Sequence, residues 1–124
     1  WCYLWIVLNK YYMENQINYI EFKTNNIEII KKFYSNCFNW IFNDYGSIYT
    51  AFSESGLKGG FELTDKEIVN GALVVLYHNN LDVIKKKIIA SGGKISKDIF
   101  SFPGGHRFHF LDPSGNELAV WSDK

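Results

Sequence analysis

The sequence predicts an α+β fold in which two βαβββ modules form a curved mixed sheet around a half-barrel cleft. Three observations predict it. Short stretches alternate apolar and polar residues, as half-buried strands do. Two longer stretches place apolar residues at helical spacing. The order of these elements is the same in both halves of the chain, over residues 16–65 and 70–122, and internal repetition constrains a fold more than any single motif.

The elements follow in order. Residues 17–24, INYIEFKT, alternate and read as the first strand. Asn25 or Asn26 caps the next helix, because a side-chain oxygen there can accept from an orphan backbone N–H. Ile27, Ile30, Phe33, Tyr34 and Phe38 share one helical face. NWIFNDYG, SIYTAFSES and LKGGFELTD then read as three strands punctuated by Gly, Ser and Asp. The second half repeats this. GALVVLYH is a strand. NNLDVIKKKIIASGG is a helix capped by Asn79 or Asn80, with a stripe of Leu81, Ile84, Ile88 and Ile89 and a stop at Gly92-Gly93. KISKDIFS, GHRFHFL and NELAVWS are the last three strands, and Asp112-Pro113-Ser114-Gly115 makes the final hairpin turn.

Composition bounds what the chain can do. Its 124 residues suit one domain with one core, and a hydrophobic share of 47% is enough to fill it. Lys plus Arg and Asp plus Glu number 13 each. That balance gives no electrostatic footprint for nucleic acid or for an anionic membrane. Cys2 and Cys37 form neither a disulfide framework nor a zinc spacing, and Cys37 reads as a small buried hydrophobe. The apolar run of residues 1–8 is far shorter than the ~20 residues of a membrane span. It lacks the basic start and small-residue cleavage site of a signal peptide. Residues 1–12 therefore read as a leader outside the domain, which occupies residues 13–124, or as an extra edge strand or arm. With no targeting signal, the expected location is the cytoplasm.

With the modules in place, the chain resembles the vicinal oxygen chelate superfamily, the glyoxalase/bleomycin resistance protein/extradiol dioxygenase family. The resemblance covers residues 16–122. IEIIKKFYSNCFNW is similar to the family's first helix running into its second strand, and FHFLDPSGNELAVW to its last hairpin. GGFEL and NLDVIKKKIIASGGKI match in kind. The resemblance implies a metal site in which His or Glu/Gln on the first and last strand of each module hold a divalent cation that acts as a Lewis acid. Carried onto this chain, the four positions fall at Tyr19, Glu62, Ala72 and Ala119. Only Glu62 can ligate well. A phenol is a poor ligand, with a pKa of about 10, and alanine has no donor atom. The cofactor is thus left unassigned: the family implies a divalent metal, and the ligand positions do not support one.

Alternation nominates the residues lining the cleft. The first strand offers Tyr19, Glu21 and Lys23, the fourth Gly60 and Glu62, the fifth Val74, Leu76 and His78. The last strand offers Glu117, Ala119 and Trp121. Hairpin pairing across Asp112 to Gly115 adds His106, Phe108 and Phe110 to that row and turns Arg107 and His109 outward. Glu62 is the candidate base, its proton affinity raised if Glu21 faces it. His78 is the candidate acid-base partner, because imidazole titrates near neutrality. Tyr19, Glu21, His106, Glu117 and Trp121 are the candidate substrate contacts. Glu62, His78 and Glu117 form an alternative mixed metal set.

These residues suit an enzyme for a small organic molecule, by lyase- or isomerase-type proton transfer or a dioxygenase-related reaction. They equally suit a protein that sequesters such a molecule, as the family's bleomycin-binding members do, or a partner protein with a vestigial cleft. Open sheet edges and the family's habit of pairing modules predict a homodimer.

Overall fold

Asn26 and Asn80 open the two helices. In each, the capping side chain accepts from the backbone N–H three residues on, Ile29 at 3.1 Å and Val83 at 3.2 Å. The computed structural model describes residues 14–124. The expected leader, residues 1–12, lies outside the described residues. Element order is β1 (Ile20–Thr24), α1 (Ile27–Phe38), β2 (Ile41–Asp44), β3 (Tyr49–Ser53), β4 (Gly59–Leu63), β5 (Val74–Tyr77), α2 (Leu81–Ala90), β6 (Lys94–Phe102), β7 (Gly105–Leu111) and β8 (Glu117–Ser122). That is βαβββ twice, as the repeat predicts. Among the described residues no helix is long and apolar enough to cross a membrane.

The strands form two open four-stranded sheets, ordered β1-β4-β3-β2 and β5-β8-β7-β6. The crossover helix makes β1–β4 and β5–β8 parallel, and the hairpins make the remaining pairs antiparallel. Among the described residues no strand of one sheet pairs with a strand of the other.

The helices join the two modules. Ile30, Phe33, Tyr34 and Cys37 bury one face of α1, and Leu81, Ile84 and Ile88 bury one face of α2. Ile89, expected in the second stripe, stands 52% exposed. The Tyr34 ring stacks on Trp40 at 4.6 Å and lies 5.2 Å from Phe61 of β4. Phe33 and Phe38 each lie 6.0 Å from Phe110 of β7. Both sheets therefore turn one face to the same helices, and each buried ring contributes ~2 kcal/mol or more of apolar transfer. The other face of each sheet stays open.

A polar knot ties the last hairpin to the first module. Asp112, 4% exposed, accepts from the Tyr34 hydroxyl at 2.9 Å, from Asn116 Nδ2 at 3.0 Å, and from the backbone N–H groups of Ser114 and Asn116. Asn116 is fully buried and also donates to the Lys23 carbonyl of β1 at 2.9 Å. Its bonds therefore reach beyond its own turn to the first module.

Candidate functional site

Register decides which side chains meet on the open faces. On the first sheet, Glu21 pairs with Gly60 and Lys23 with Glu62, while Tyr49 pairs with Glu62 and Ala51 with Gly60. Tyr19, just before β1, shares the open face with Glu21, Lys23, Tyr49 and Glu62, as alternation predicts for Tyr19, Glu21, Lys23 and Glu62. Gly60 lies beneath the two phenols. A Cβ there would run into the hydroxyls of Tyr49 and Tyr19, so only glycine allows their approach. Those hydroxyls share a hydrogen bond of 2.5 Å. Burial, and then the bond to Tyr19, push the Tyr49 phenol above its ordinary value, so it stays a neutral donor.

Lys23 changes the reading of the two carboxylates. Its ammonium bonds Glu62 and also reaches Glu21 at 3.5 Å. The hydrogen bond to Glu62 is the main cause that raises the Lys23 pKa. Glu21 and Glu62 therefore share a cation between them. That cation offsets the mutual repulsion of the two carboxylates.

On the second sheet the structure corrects two strands. Val75 pairs with Ala119 and Tyr77 with Trp121 in parallel register, so Val75 and Tyr77 take the open face. Val74 and Leu76 pack against the core, contrary to the expectation that they line the cleft. Ala72 lies in a bend before β5, on the parity of Val74. The repeat itself relocates the ligand position: Tyr19 stands seven residues before the cap Asn26, and Leu73 seven before the cap Asn80. Leu73 is as blank as Ala72.

The hairpin is the second correction. Leu111 pairs with Glu117, His109 with Ala119 and Arg107 with Trp121. Arg107 and His109 therefore share the open face with Glu117, Ala119 and Trp121. His106, Phe108 and Phe110 take the opposite one. The cause is one residue. Asn116 belongs to the loop, where its carbonyl accepts from the Asp112 N–H at 2.9 Å, and lengthening the loop by one residue swaps every side chain of β7 between faces.

The remaining expected site residues are dispersed. His106 bonds Ser101 Oγ through Nδ1 at 3.0 Å, off the open face. His78 closes β5, where its Nδ1 accepts from the Asn80 N–H at 3.0 Å and its own N–H donates to the Trp121 carbonyl. It lines a cavity of about 530 Å³ with Phe22, Trp40, Phe52, Leu76 and Tyr77. Glu62 is not part of that cavity, so the expected pair of Glu62 and His78 is not brought together. The alternative set of Glu62, His78 and Glu117 does not converge either, since no group of three such donors comes together among the described residues.

What does come together is a pair that alternation had split. His109 Nδ1 lies 3.1 Å from Glu117 Oε2, which also accepts from Ser96 Oγ at 3.2 Å. Trp121 packs edge-on against Tyr77 at 5.2 Å and lies 6.3 Å from Phe102. Recognising Asn116 as a loop residue would have found His109 and Arg107 from sequence. The fit of a family-type metal can be tested on these donors. Tyr19, Leu73 and Ala119 provide no suitable ligand, and Glu62 is engaged by Lys23, so these four positions do not fit one, and no other group of three donors comes together among the described residues.

Comparison with known proteins agrees with this architecture. The family model described as "Glyoxalase/Bleomycin resistance protein/Dioxygenase superfamily" matches residues 16–120. A curated relative, the "Putative glyoxylase CFP32" of Mycobacterium bovis, is 23% identical over 89% of this chain and 46% of its own length. The chain thus spans about half of the curated relatives it matches. A glyoxalase-related enzyme from Fulvimarina pelagi superposes with a TM-score of 0.75 at 15% identity, over 87% of this chain and 88% of that one. The genomically encoded fosfomycin resistance protein FosX of Listeria monocytogenes, crystallised with Mn(II) and 1S,2S-dihydroxypropylphosphonic acid, superposes with a TM-score of 0.76 at 17% identity, over 89% and 91%. At these identities the solved structures show the fold.

Proposed function

The chain belongs to the Glyoxalase/Bleomycin resistance protein/Dioxygenase superfamily, and from that premise we propose that two copies pair to build a cleft for a small organic molecule. The first sheet's open face in one copy meets the second sheet's open face in the other. The observation that carries this reading is the state of the two faces. Among the described residues no strand pairing joins them, yet they expose Tyr19 at 44%, Val75 at 42% and Tyr77 at 51%. Each carries charges of both signs: Glu21, Glu62 and Lys23 on one, Lys97, Arg107 and Glu117 on the other. Covering such surfaces favours association, and opposite charges set its register.

The test is oligomeric state. Val75→Asp should convert a dimer to a monomer in sedimentation equilibrium with little loss of monomer stability, since a lone exposed substitution costs within ~0.5 kcal/mol. A variant that stays dimeric contradicts the pairing.

The chemistry that suits the cleft is proton transfer of the lyase or isomerase kind, with Glu62 receiving the proton and Lys23 fixing its carboxylate. Incubation in D2O with a panel of small ketones and 2-hydroxy acids, read by proton NMR, should show deuterium entering a carbon position. Glu62→Ala should slow this by about a hundredfold or more. A second reading, sequestration without turnover, is favoured by one observation: Lys23 already occupies the candidate base. Binding without deuterium entry, unaltered by Glu62→Ala, would establish it.

A further inference from the structure

Two neighbouring side chains on β7 each bury a nitrogen that meets no partner. They are His109 Nε2 and Arg107 Nε. Burying such a group unpaired costs ~1–3 kcal/mol, and native structures retain it where something else completes the bond. Both lie on the open face of the second sheet, two residues apart on one strand.

The surroundings fit a negatively charged ligand. Among the described residues no carboxylate pairs with Arg107. Its guanidinium carbon lies 5.2 Å from the centre of the Phe100 ring and 5.7 Å from that of Phe102. Lys97 Nζ lies 4.4 Å from the centre of the Phe100 ring. Two acidic side chains stand nearby: Glu117, whose Oε2 is taken by His109 Nδ1 and Ser96, and Asp123, whose Oδ1 accepts from the Tyr77 hydroxyl at 2.6 Å. Ala119, directly across from His109, has only a methyl to offer.

We propose that Arg107 and His109 form an anion subsite for the carboxylate of a small aromatic or apolar organic acid. This deepens the cleft reading and rests on it. Both nitrogens are covered in the free chain, so the two side chains swing outward to donate to the carboxylate oxygens, and charge-assisted bonds of this kind are the stronger ones. Glu117, bonded to Nδ1, fixes the ring and leaves Nε2 as its unpaired position. The rings of Phe102, Trp121 and Tyr77 cover the ligand's apolar part. The subsite gives the cleft a charge preference that the blank family positions do not supply.

The probes are benzoate and its neutral counterpart benzyl alcohol, titrated by calorimetry into the full chain. Benzoate is expected to bind saturably, and at least about tenfold more tightly than benzyl alcohol. Arg107→Gln and His109→Gln should each weaken benzoate at least about tenfold while leaving benzyl alcohol unchanged. Arg107→Lys keeps the charge without the guanidinium fork and should fall between, which guards against a glutamine variant that fails to fold. Equal affinity for the two probes, or benzoate binding indifferent to both glutamine variants, overturns the subsite and leaves the cleft standing. Absence of saturable benzoate binding also overturns it. The sedimentation of Val75→Asp uses no anion and judges the cleft separately.

Discussion

Phe61→Ala should cost about 3–5 kcal/mol of folding stability. The ring is fully buried on the core side of β4. It lies 5.2 Å from Tyr34, 5.4 Å from Phe22 and 5.5 Å from Phe52. Truncation removes the apolar transfer energy of a large side chain and leaves a cavity walled by rings, which are too rigid to collapse into it. A domain of this kind holds a net stability of ~5–15 kcal/mol, so the variant would lose a large share. Urea denaturation measures the loss. A cost below ~1.5 kcal/mol would mean that the aromatic cluster repacks. Glu62→Ala, on the next residue and the opposite face, is the natural control, because an exposed ion pair adds little to stability.

Asp112→Ala should cost about 3 kcal/mol, because it leaves the buried Tyr34 hydroxyl and Asn116 amide without their acceptor. The pH dependence follows from the direction of its pKa. Burial is the largest influence and raises the carboxyl above its ordinary 3.8, while bonds from Tyr34, Asn116 and Ser114 pull the other way. A raised folded pKa means that the folded chain holds this proton more tightly than the unfolded chain. The corresponding stability is fully present below pH 3.8 and is lost as pH rises through the raised value. Wild-type stability relative to Asp112→Asn should therefore fall as pH rises from 3.8 through the raised value. A rise over that window would show that the four donors outweigh burial.

Most of the fold was legible because it rests on local chemistry. Asn26 and Asn80 cap helices through their own side chains, and Ile30, Phe33, Tyr34, Ile84 and Ile88 repeat at helical spacing. The open face of β1 and β4 was legible too, from alternation alone. The second sheet was not. The face of Arg107 and His109 turns on whether Asn116 belongs to the loop or to β8. That is settled by its bonds to Asp112 and to the Lys23 carbonyl, 93 residues away. No local pattern records a contact of that range. The role of Lys23 was hidden only in part, since a pair with Glu21 on the same strand face is legible from alternation. Alternation places it on the face, but only the structure sets its ammonium between Glu21 and Glu62.

The same polar knot has a kinetic side. The bond from Tyr34 to Asp112 closes a sequence separation of 78 residues, and that from Asn116 to Lys23 one of 93. Loop-closure entropy must be met before contacts this distant can form. Each module can nucleate on its own helix and hairpins well before the knot is tied. The knot then acts as a latch that sets late on the folding route and governs how long the folded chain lasts. Weakening it should hasten unfolding while leaving the folding rate nearly unchanged.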